Sequence, residues 1–226
     1  VALEQHGRVE ARGASDVTLR VPRLRRLLAG GTRGNGLLTA ATGALLFVLL
    51  AVLGVTIVAI HPLIDEHLFI GMLVLGPLAL KLGSVSYRFA RYYAGDAGYR
   101  KKGAPDLVLR VLGPLVVLST LLVFASGVVL LLAGPASRSP WQAIHKYSFM
   151  VWLAVWWGHV VVHLPDLPQL WARGRDRQWG DGSSGRGARA LSLAGALVLG
   201  AVLAIVTVPL FGAWSHFFAG HAHVAR

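Results

Sequence analysis

The sequence predicts an all-α integral membrane protein, a helical bundle of five transmembrane helices. Three observations carry that prediction. Hydrophobic residues make up 55% of the 226-residue chain and charged residues only 14%, unlike the mixture found in a soluble domain. The apolar residues come in blocks, each long enough at about 1.5 Å per residue to cross a hydrocarbon layer of roughly 30 Å. The basic residues, finally, gather in alternate connections between those blocks.

Leu37 to Ile60 is uncharged and forms the first span. Leu68 to Ser86 is broken only by Lys81, and Leu107 to Ala133 only by Arg110 near its start. Trp141 to Leu164 is the fourth span and Ala190 to Phe211 the fifth. "LGPL" at Leu75–Leu78 and again at Leu112–Leu115 reads as two proline kinks. Around the spans the chain divides into a basic tail at 1–35, a four-helix core at 36–171 and a disordered Gly/Ser/Arg-rich loop at 172–189. The fifth span occupies 190–211, and an outer tail at 212–226 carries His216, His221 and His223. Within the first tail, "TLRVPRLRRLLAGGTRG" reads as a short basic interfacial helix closed by Gly30 and Gly31.

Basic residues cluster before the first span (Arg8 to Arg33), between the second and third (Arg88 to Arg110) and between the fourth and fifth (Arg173 to Arg189). Alternating spans put all three clusters on one side. The positive-inside rule then makes that side cytoplasmic, with the N-terminus inside, the C-terminus outside and the chain multi-pass in the plasma membrane. The net charge of +12 is accordingly an orientation and lipid signal, which removes the need for a nucleic-acid partner. The first span, long and preceded by a long leader, reads as retained rather than cleaved. With no cysteine, disulfides, thiolate metal sites and cysteine-attached haem are excluded. No nucleotide fingerprint and no nucleophile–base arrangement is present, so no catalytic residue is assigned.

The fourth span, "IHKYSFMVWLAVWWGHVVVH", carries His145, His159 and His163. On an ideal helix the three project within roughly 40° of one face, with His159 about 21 Å and His163 about 27 Å from His145 along the axis. Phe149, Trp152 and Trp156 lie near that face and offer flat apolar surface. Ionisable residues inside spans are rare and functional by default. Haem suits such a site, because its face fills space between helices while imidazoles bind the iron from either side. His67, at the outer start of the second span, stands at the same depth as His145. We read His67 and His145 as the axial pair, with Gly71 removing bulk beside the ring and His61 as the substitute for His67. Capping histidines in a wet headgroup zone are the plain alternative. His159 and His163 face a haem, a quinone or a metal, or form a hydrogen-bonded interfacial pair. Lys81, fourteen residues after His67, either snorkels to the headgroups, neutralises a propionate or acts as a ligand. The three tail histidines read as solvated rather than metal-binding.

The region from "DEHLFIGMLVLGPLALKLGSVSYRFARYY" through "IHKYSFMVWLAVWWGHVVVH" resembles the bacterial di-haem cytochrome b membrane subunits of the nickel-hydrogenase and formate-dehydrogenase types. That resemblance implies a four-helix cytochrome b-like core plus an extra fifth helix. It matches His145 and His159 to the family's histidine pair on helix four, and His67 to the outer partner on helix two. The family's inner partner comes from helix one, whose segment "NGLLTAATGALLFVLLAVLGVTIVAI" contains no histidine. The resemblance thus implies one haem b and allows a second. It further implies an electron-transfer subunit rather than a self-contained enzyme, with a partner redox subunit and quinone as the membrane carrier. A haem-free membrane anchor, or a small proton or metal transporter, is the competing expectation.

Overall fold

The computed structural model describes residues 31–101, 103, 107–164 and 185–222. The tail before residue 31 with its interfacial helix, residues 172–184 of the loop, His6 and His223 lie outside the described residues. Among the described residues there are helices and turns and no strand. Five long helices run in chain order: α1 Gly31–Val58, α2 Ile64–Tyr93, α3 Leu107–Ala133, α4 Trp141–His163 and α5 Arg186–Thr207. A shorter helix, α6, occupies Phe211–Ala222.

Four helical stretches are long and apolar enough to cross a membrane: α1, α2, α3 and the run Arg186–Gly220 through α5 and α6. The fourth expected span, α4, has the length, 23 residues. Its three histidines, Lys146 and its indoles dilute its hydropathy. The outward faces carry Val48, Val52 and Val55 on α1, Val111, Leu118 and Leu122 on α3, and Val198, Val202 and Ile205 on α5, all exposed. Such a surface suits hydrocarbon and would be a liability in water.

The helices assemble as two groups, α1–α2–α5 and an α3–α4 pair, which touch each other far less than their members do. The α3–α4 pair is antiparallel: Ser126 meets Ser148, the Trp152 Nε1–H donates to Thr120 Oγ1 at 2.9 Å, and Leu112 reaches Gly158. Between the groups, the rings of Phe47 on α1 and Trp156 on α4 stack with centroids 5.8 Å apart.

The α2–α5 contact is backbone against backbone. Pro77 lacks an N–H, so the Leu73 carbonyl one turn earlier loses its helical donor. That oxygen faces Gly200 of α5, where an added Cβ would stand 2.0 Å away from it. A Cβ on Gly76 would likewise stand 2.0 Å from the Ala196 carbonyl oxygen. Ala196, Gly200 and Ala204 recur every four residues as buried positions on α5. This is the small-residue seam that lets membrane helices approach closely.

Beyond α5 the chain differs from the expected solvated tail. Residues 211–222 are helical, and α6 lies against the end of the bundle formed by the start of α2 and the α3–α4 turn. Phe211 and Trp214 are buried there with Ile64, Met72 and Leu131. Arg138 sits over the Phe217 ring at 4.6 Å, and Ser215 donates to Asp65. The apolar face of this short helix overrides its glycine and histidine content.

Candidate functional site

His67 lies in the first turn of α2 and His145 in the second turn of α4, at the same end of the bundle. His67 lies within electrostatic reach of His145. Each is held by its Nδ1. The Val123 carbonyl of α3, 3.0 Å from His145 Nδ1, can only accept, so that nitrogen carries the proton. Ser126 Oγ stands 3.2 Å from the same nitrogen. For His67 the partner is Thr56 Oγ1 of α1 at 2.9 Å. With the Thr56 hydroxyl proton on the Leu53 carbonyl, 2.6 Å away, its oxygen accepts from a His67 protonated at Nδ1, and the other tautomer reverses the bond. With both rings protonated at Nδ1, each presents an Nε2 lone pair.

Two glycines shape the surroundings. Gly127 of α3 carries the His145 ring on its bare face, where a Cβ would stand 2.9 Å from Cε1. Gly71, one turn past His67, opens onto space in which a Cβ would meet nothing within 4 Å. His67 and His145 could hold a haem, each supplying one imidazole nitrogen to its iron. A histidine ligand is ordinarily oriented by a hydrogen bond from its other nitrogen to a carbonyl or hydroxyl. Among the described residues no group of three or more His, Cys, Asp or Glu gathers as a bare metal ion would require. His61, the substitute for His67, is exposed and meets the Phe218 ring edge-on at 5.2 Å, under α6.

From His145 the aromatic face of α4 runs toward the basic end as a stack: Phe149 to Trp152 at 6.0 Å and Trp152 to Trp156 at 5.7 Å. It leads to His159 and His163, whose rings meet edge-on at 4.8 Å. The Nδ1 of His159 is buried and finds no hydrogen-bond partner among the described residues. Lys81 is within electrostatic reach of His159. Its side chain reaches α1 above Gly43, with Nζ 2.9 Å from where a Cβ would stand, and donates to the Thr39 carbonyl at 2.7 Å. Around it, Thr39 Oγ1 bonds Ser84 Oγ at 3.1 Å and Asn35 Nδ2 donates to the Ser84 carbonyl at 3.2 Å.

Sequence reasoning missed Thr56, Val123, Ser126, Gly43 and Gly127. Each acts on a residue of a neighbouring helix, and none stands in a motif. Of the tail histidines, His216 lies on α6. Compared with known proteins, the chain matches no family model, no curated protein and no solved structure.

Proposed function

We propose that this chain is a b-type cytochrome of the membrane, binding one haem through His67 and His145 near the end of the bundle covered by α6. The observation that supports the reading is that two imidazoles from different helices, at the same end of the bundle, are each engaged through Nδ1 by a neighbouring helix. Protonated there, both would keep Nε2 as the donor to a metal. A haem held by these two histidines would supply one-electron redox chemistry, with His67 and His145 occupying the positions a substrate would need. The role is then electron transfer between a partner redox subunit and a membrane carrier such as quinone. The chain's part is to orient the ligands, exclude water with α6 and the apolar helices, and hold the site at a set depth. By the positive-inside rule, the arginine-rich end faces the cytoplasm and the haem lies toward the outside.

The test is a reduced-minus-oxidised spectrum with a pyridine haemochrome assay on the purified chain. One haem per polypeptide, a low-spin alpha band, and loss of both in His67→Ala and in His145→Ala are expected. A chain that purifies without haem from haem-replete cells, or retains its spectrum in both variants, rejects the reading and leaves the haem-free anchor or transporter. Two haems would assign the second to His159, with Lys81 as the candidate partner.

A further inference from the structure

At the basic end, three membrane helices and the turn after α2 enclose a partly open cavity of about 370 Å³. That lies within the range of ligand pockets. It is lined by Asn35 of α1, Tyr87 and Arg91 of α2, Tyr99 of the following turn, and Arg189 and Ser192 of α5. Its wall is built rather than accidental. Asp96 caps the single turn Ala97–Arg100, its Oδ1 accepting from the N–H groups of Gly98 at 3.0 Å and Tyr99 at 3.2 Å, while its Oδ2 takes Arg91. Both carboxylate oxygens are thereby engaged inside the protein. Gly98 lets the start of α1 close in, since a Cβ there would stand 3.1 Å from Thr32 Cγ2.

Among the described residues of the lining, two guanidinium groups stand against one carboxylate. A guanidinium has five N–H donors, so Arg91 keeps several beyond the one given to Asp96. Tyr99 is buried, and burial, with Tyr87 and Asp96 adding to it, pushes its hydroxyl above the ordinary phenol range, so it stays a neutral hydrogen-bond donor. The remaining lining residues include Leu38 and Ala188, which add apolar surface beside the charges. Charge, donors and apolar surface at the basic end of membrane helices suit a phosphodiester attached to a glycerol backbone.

We infer that this cavity seats the phosphate-bearing headgroup of an anionic phospholipid, gripped by Arg91 and Arg189 where α1, α2 and α5 come together. The inference stands without the haem reading, since no haem-site residue lines the cavity. A free phosphate shares the chemistry, and the experiment separates the two sources.

The full chain in detergent is titrated with phosphatidylglycerol, phosphatidylcholine or inorganic phosphate and read by native mass spectrometry. Phosphatidylglycerol should be retained at one copy per chain and phosphatidylcholine should not. Arg189→Gln should weaken retention about tenfold, as expected for one charge-assisted contact. Ser192→Leu, which fills the cavity without changing charge, should abolish it. Arg110→Gln, outside the cavity, should leave retention unchanged, and unchanged helical content by circular dichroism checks that the variants fold. Equal retention of the two lipids, an unaffected Arg189→Gln, or loss in Arg189→Gln but not in Ser192→Leu overturns the proposal. So does binding of inorganic phosphate without the lipid, which would make the cavity a free-anion site.

Discussion

At the scale of single residues, the site depends on which nitrogen of each imidazole is occupied. Thr56→Val keeps the shape at His67 but removes the acceptor of its Nδ1–H. Loss of such an orienting partner typically weakens a metal site roughly 10–100-fold. Transfer of haem to excess apomyoglobin should accelerate accordingly, and Thr56→Ser should restore the parent rate. Gly127→Ala places a methyl 2.9 Å from His145 Cε1, so the ring must turn, and the low-spin electron paramagnetic resonance signal should shift. The sequence singles out His67 and His145 as candidates because histidine at the edge of or inside an apolar block is conspicuous. It does not single out their supports. A hydroxyl in a membrane helix ordinarily bonds its own preceding turn, as Thr42 does with the Leu38 carbonyl at 2.7 Å. Nothing in the letter Thr marks the one that also serves a neighbouring helix. Lys81 shows the same limit: the glycine that draws it inward, Gly43, is on another helix.

At the scale of elements, the α2–α5 seam is the tightest joint. Gly200→Leu drives a branched side chain into the Leu73 carbonyl. Overpacking of this kind costs typically 1–3 kcal/mol, occasionally more. Thermal unfolding of the detergent-solubilised chain should move down by a corresponding amount, whereas Gly36→Leu, where nothing lies within 4 Å, should leave it nearly unchanged. The long helices were legible because an uncharged run of that length has few other homes. The helicity of 211–222 was not, because its glycines and histidines argue for a tail. The buried Phe211 and Trp214 against α2 and α3 decide otherwise.

For the molecule as a whole, the absence of cysteine makes orientation directly measurable. Single cysteines in place of Lys101 and of Ser137 lie on connections at opposite ends. In intact cells a membrane-impermeant maleimide should label Ser137→Cys, while Lys101→Cys should react only after lysis; the opposite pattern would invert the assigned topology. The sequence could delimit and order the apolar helices, and its charge distribution supplies an expected direction. It could not say that α5 joins α1 and α2 while α3 and α4 pair apart, since every block is apolar on all sides. Pairing is decided by glycine positions and buried polar contacts between distant segments, such as Gly76 with Ala196 and Thr120 with Trp152.

The helix packed against one end of the bundle has a further effect. With side chains a helix is about 10 Å thick, so on the proposed haem reading α6, with Phe217 and Phe218, would stand in the way of a soluble donor approaching from that end. Electron tunnelling decays steeply with separation. Freely diffusing redox dyes should then equilibrate sluggishly with the centre, and deleting residues 211–226 should quicken them.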